Sequence, residues 1–160
     1  MKIAVALGAL CAPWDRHAGH NRYKTLATRR TSGPMDIIGT GMDATEIDRI
    51  IQAIDRYGDH FVRRVFTDGE IAYCRSKRDF GARFAARFAA KEAAMKALGT
   101  GFSRGVYWKG IEVVRHHGPP MLRFHEGAAE RFSKMGATGS LLTLTHSRDL
   151  AIAHVLLLKG

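Results

Sequence analysis

IIGTGMDATEIDRI, residues 37–50, reads as a strand that runs straight into a helix. Its first half is apolar and rich in glycine, so 36–43 is expected to be a short strand. Ile47, Ile50, Ile51, Ile54 and Tyr57 then recur at helical spacing, and Gly58 can end the run. Thr45, with Asp48 three residues on, has the form of a capping box, which puts the helix start at Thr45. Asp43 sits at the junction. An aspartate there is either a cap and dipole partner for the helix or a ligand held at a strand end. The spacing alone leaves both open.

Working outward, RFAAKEAAMKALGTG (residues 87–101) lies in the longest helical pattern, 80–98, with Gly99 as its stop. Phe80, Phe84 and Phe88 fall four apart among alanines and are expected in the core. Arg87 and Lys91 share a helical face, and so do Glu92 and Lys96. The plain reading of Glu92 and Lys96 is a surface i,i+4 ion pair. Yet these charges stand among Ala and Phe, where a charge needs a partner. Gly99-Thr100-Gly101 is a helix stop and turn, or a close backbone approach to a phosphate.

Thr67 and Glu70 form a second capping-box pattern, opening a short helix to about residues 75–77. Residues 106–115 and 121–124 read as strands around a turn that holds His116 and His117. A short helix at 126–135 follows. The strands 140–146 and 150–158 are joined by a tight link that makes them a hairpin. The sum is an α+β fold with helices packed on an antiparallel sheet.

Residues 1–34 hold six Lys/Arg and one acid, without helical or strand period after Leu10. They read as an extension, whether disordered, a targeting peptide or an over-long start, ahead of one domain at 35–160. The whole chain carries +10, which favours acidic partners. A nucleic-acid surface would interleave aromatics with Arg/Lys on a strand. Here the aromatics take helical core spacing, so nucleic acid is not the expected partner. The apolar start, 3–14, is too short to span a bilayer. Cys11 and Cys74 make no disulfide framework or metal spacing, so a reducing, cytoplasmic setting and a buried Cys74 thiol are expected. His146 ends the Leu/Thr strand and would add a donor if a phosphate lay beside it.

IGTGMDATEIDRI (38–50) resembles the first signature of the holo-[acyl-carrier-protein] synthases, small 4′-phosphopantetheinyl transferases. RFAAKEAAMKALGTG (87–101) resembles their second, FVRRVFTDGE (61–70) an intervening segment, and WKGIEV, GPPMLRF and LTLTHSRDLAIAHV their β-rich end. Two features depart from the pattern. Gly41-Met42 ahead of Asp43 implies a local insertion or shifted turn, and residues 1–34 have no counterpart.

The resemblance implies the 4′-phosphopantetheinyl transferase fold and a reaction. Phosphopantetheine moves from coenzyme A to a serine of apo acyl carrier protein, and adenosine 3′,5′-bisphosphate leaves. It implies Mg²⁺ on Asp43 and Glu92, with Glu92 also taking the serine proton and Lys96 acting on the leaving phosphate. Arg87, Lys91, Gly99, Thr100, Gly101, His146 and Ser147 are then expected at coenzyme A, and Arg49 at the acidic carrier. A homotrimer is implied as well. The rivals are a metal-dependent phosphohydrolase using the same carboxylates and, further off, a basic nucleic-acid-binding module.

Overall fold

The computed structural model describes residues 34–115 and 118–160. The reading of 1–34 as an extension, all but Pro34, and the His116-His117 turn lie outside them. Five strands and four helices follow in the order β1 (Asp36–Glu46), α1 (Ile47–Val65), α2 (Asp68–Arg75), α3 (Phe80–Ala97), β2 (Ile111–Val114), β3 (Met121–Phe124), α4 (Glu126–Lys134), β4 (Gly139–His146) and β5 (Leu150–Lys159). A three-stranded antiparallel sheet runs β1-β5-β4, and β2 and β3 form a second, two-stranded one. The α+β expectation holds, as does the β4–β5 hairpin.

β1 outruns its expected end at Asp43. Thr45 and Glu46 still pair with Ala151 and Leu150, and the Ile47 amide bonds the carbonyl of Asp149. The ladder therefore keeps the chain extended, and the helix begins at Ile47 with no side-chain cap. The Thr45 hydroxyl is not a cap; it donates to Asp43. Nor does the strand bulge or turn at Gly41-Met42. The one register shift falls between Ile37 and Gly39, and pairing runs unbroken from Gly39 to Glu46. At Gly58 the backbone leaves helical geometry (φ 54°, ψ -139°), which ends the first helical run as expected, and a second run follows across the kink as far as Val65. Thr67 and Glu70 do make the expected capping box at α2. In place of a strand from Val106, a 3₁₀ turn covers Trp108–Gly110 before β2.

α3 is the central element. Its alanines pack under β5 through Ala153, Val155 and Leu157, while its first half meets α1 and α2 around Phe66 and Phe84. Of the three spaced phenylalanines Phe84 is buried in the core and Phe88 packs against it. Phe80 is exposed and Phe88 half-buried against Trp108.

β1 crosses α3 almost backbone to backbone. A Cβ on Gly41 would lie 2.0 Å from the Ala93 carbonyl oxygen, and one on Gly39 2.5 Å from that of Ala97. Main-chain oxygen cannot yield as a flexible side chain does. Gly41→Ala should therefore cost at least about 1–3 kcal/mol, read as a lower thermal midpoint. An unchanged midpoint would show that the helix and strand can part freely.

Candidate active site

The close crossing places the first candidate. Gly39 lies against Ala97 and Gly41 against Ala93, so β1 runs toward the N-terminal end of α3. Side chains alternate along a strand, so Asp43 shares the glycines' helix-facing side. Two more residues advance the strand about 7 Å, a little over one helical turn. Asp43 thereby comes level with Ala89, less than one turn before Glu92, whose side chain tilts toward the helix N-terminus.

Lys96 confirms the placement. Its Nζ lies 2.9 Å from Asp43 Oδ1 and 3.0 Å from the Met42 carbonyl oxygen. Asp43 Oδ2 accepts from the Thr45 hydroxyl at 2.9 Å. Only 17% of the Asp43 side chain is exposed, against 52% of Lys96. Glu92 stands one turn before Lys96 on the same face. It does not form the expected i,i+4 pair. Its Oε1 accepts a hydrogen bond from Trp108 Nε1, and Lys96 turns to Asp43. A carboxylate–lysine pair and a second carboxylate thus gather where β1 meets α3.

Lys91 goes elsewhere. Its ammonium is buried, 2.8 Å from Glu70, and donates to the carbonyls of Trp108 and Ile111. Glu70 also accepts from the amides of Thr67 and Val113. Burial pushes the Lys91 pKa down, and Glu70 opposes that shift. The expectation of Lys91 at a phosphate fails in this geometry, because the ammonium is already enclosed. The Gly99–Gly101 expectation is corrected likewise. Those three amides bond back to the carbonyls of Lys96 and Met95, closing the helix, so they are not presented to a ligand. Positive φ at Gly99 and Gly101 (67° and 55°) makes that turn.

Arg87 is 4% exposed and lies over the Tyr73 ring, 4.1 Å from its centre, and its Nε has no hydrogen-bond partner among the described residues. A buried donor without an acceptor is costly unless a ligand supplies one. Arg87 borders a cavity of about 350 Å³ that Arg83, Arg115, Tyr73 and His146 also line. His146 thus borders the same hollow as Arg83, Arg87 and Arg115. Ser147 instead closes the β4–β5 turn, its hydroxyl accepting from the Leu150 amide at 3.3 Å. Cys74 is buried, and burial raises its thiol pKa to about 11, so it is no nucleophile. Arg49 is exposed on α1.

Trp108, Glu70, Arg83 and Arg115 belong to this account although the spacing did not single them out as site residues. A lysine in an alanine-rich helix signals a buried carboxylate somewhere, which here is Glu70. Arg83 lies one turn before Arg87, a signal that helical spacing carries. Nothing local ties Trp108 to Glu92.

The sequence model of the 4′-phosphopantetheinyl transferase superfamily matches residues 39–153. The holo-[acyl-carrier-protein] synthase of Solibacter usitatus is 49% identical over 122 residues, 76% of this chain and 98% of that protein. Among solved structures, the Neisseria meningitidis holo-[acyl-carrier-protein] synthase superposes with a TM-score of 0.71 at 28% identity, covering 76% of this chain and 98% of that one. The Bacillus anthracis enzyme, solved in complex with CoA (3′,5′-ADP), does so with a TM-score of 0.65 at 31% identity, covering 79% and 100%. With fold, extent and both signatures in agreement, the chain belongs to the holo-[acyl-carrier-protein] synthases of the 4′-phosphopantetheinyl transferase superfamily.

Proposed function

We propose that this protein transfers 4′-phosphopantetheine from coenzyme A to a serine hydroxyl of apo acyl carrier protein, releasing adenosine 3′,5′-bisphosphate. The observation that carries this reading is the Asp43–Lys96 contact one turn from Glu92, on a fold that belongs to these transferases. Residues 35–160 form the transferase domain, and 1–34 are an extension outside it.

The donor set fits Mg²⁺. Asp43 and Glu92 offer hard carboxylate oxygens, and no group of three or more His, Cys, Asp or Glu gathers among the described residues. Mg²⁺ suits such a site because it keeps waters and takes substrate phosphate oxygens. Bound there, it would neutralise charge developing on the diphosphate. Asp43 and Glu92 would hold it, and Glu92, directly or through a water, would take the serine proton. Lys96, exposed and beside Asp43, would stabilise the leaving phosphate. Arg87 and His146, joined by Arg83 and Arg115, offer positive charge for coenzyme A phosphates.

The acidic carrier would dock on α1. Arg49 and Arg64 are exposed there. Tyr57, Phe61, Arg64 and Trp108 border an apolar hollow of about 360 Å³. Opposite charge steers such encounters. The outer face of the sheet exposes Met42 and Leu141 beside Thr40, His154 and Leu156, which supports a homotrimer. Among the described residues no helix is long and apolar enough to cross a membrane. The reading places it in the cytoplasm, serving an acyl carrier such as that of fatty acid biosynthesis.

The test is a mass measurement. The protein is mixed with apo carrier, coenzyme A and Mg²⁺, and the carrier should gain one phosphopantetheine. No gain from folded protein would overturn the reading, whereas release of phosphate from coenzyme A without carrier would point to a hydrolase.

A further inference from the structure

Glu92 is held by a neutral donor. The indole N–H of Trp108 lies 2.5 Å from Glu92 Oε1, the one side-chain hydrogen bond that Glu92 makes among the described residues. An indole only donates, and it brings no charge. A lysine or arginine in its place would offset the carboxylate's charge, as Lys96 does at Asp43. Trp108 can fix one oxygen and leave the carboxylate anionic.

The indole is itself restrained. The Trp108 carbonyl accepts from Lys91 Nζ at 2.9 Å, and Glu70 balances that buried ammonium at 2.8 Å. The 3₁₀ turn at Trp108–Gly110 fixes the backbone on the other side. The ring packs against Phe102, with centroids 4.5 Å apart, and Phe88, at 6.0 Å. Phe88 stands one helical turn before Glu92, so a single stretch of α3 provides both the carboxylate and a wall for the ring that orients it. Lys91, next to Glu92 in sequence, anchors the same residue from the inner side.

We propose that Trp108 is a positioning residue for Glu92: its indole N–H holds Oε1 and leaves Oε2 to bind the cation or take the serine proton. This rests on the reading of Glu92 given above. Partners that orient a metal ligand in this way typically change metal affinity or activity about 10- to 100-fold when lost.

The experiment uses the full chain. The sequence has two tryptophans, so Trp14→Phe leaves Trp108 as the only tryptophan, read apart from the tyrosines by excitation at the red edge of the indole band. Titration with Mg²⁺ alone should shift Trp108 emission, and Glu92→Gln should abolish the shift. Trp108→Phe keeps an aromatic ring between Phe88 and Phe102 but removes the N–H. It should weaken Mn²⁺ binding, read by electron paramagnetic resonance, and lower kcat, each about 10-fold. The KM for coenzyme A and the melting temperature should stay near wild type. Trp108→Phe with unaltered kcat and Mn²⁺ affinity, while Glu92→Gln is inactive, would overturn the proposal. So would Trp108 emission indifferent to Mg²⁺, a readout that does not depend on the variant folding. Full activity in Glu92→Gln would instead sink the metal-site reading beneath it.

Discussion

Glu92→Gln should lower the transfer rate roughly 100- to 10,000-fold without moving the thermal midpoint. The amide is nearly isosteric and keeps an oxygen to accept from Trp108, so the packing around the half-buried side chain survives. What it loses is the negative charge, and with it cation binding and proton acceptance. Single-turnover transfer to apo carrier measures the loss, and calorimetry checks the fold. Activity within a few-fold of wild type would remove Glu92 from the chemistry and leave it as an acceptor for an indole.

Lys91→Met should be the most destabilising of the changes considered, by about 3–5 kcal/mol. The substitution leaves the Glu70 carboxylate buried without its counter-charge and strips a donor from the carbonyls of Trp108 and Ile111. A drop of more than about 10 °C in melting temperature follows for a domain of this size. Adding Glu70→Leu should recover part of it, because an apolar pair tolerates burial better than one lone ion. Recovery would stay incomplete, since the amides of Thr67 and Val113 lose their acceptor. If Lys91→Met melts with wild type, the pair adds nothing and its burial is without consequence.

Local patterns told most about regular elements. Alanine and phenylalanine spacing marked α3 to within a residue, and the Thr67–Glu70 box marked the start of α2. The same logic misplaced the start of α1, because the pairing of Thr45 and Glu46 with β5 depends on residues more than 100 positions away. The phenylalanine spacing overreached for a related reason. Period shows which residues share a face, but not how far the neighbouring element extends over it, so Phe80 is left at an uncovered end.

For the site, side chains whose partners lie within one helix turn were the most misleading. Glu92 and Lys96 are spaced to bond each other, yet each finds a partner on another element. Lys91 shared a pattern with Arg87 but points into the interior, where Glu70 waits from α2. Asp43 owes its place to long-range packing that no local pattern records. The shifted turn expected at Gly41-Met42 is absent: Gly39 and Gly41 are contact points with α3, within an unbroken ladder.

Those contact points have a mechanical consequence. Side-chain packing is compliant, and a core substitution usually moves a helix by small amounts. Where β1 meets α3 the touching surfaces are main-chain atoms, which act as a hard stop rather than a spring. The depth at which the strand seats on the helix is thus insulated from repacking among the Phe, Leu and Val residues elsewhere. Variation in the core can alter stability while the register of Asp43 against the Glu92 turn stays calibrated. Retuning that register calls for a change in the backbone itself.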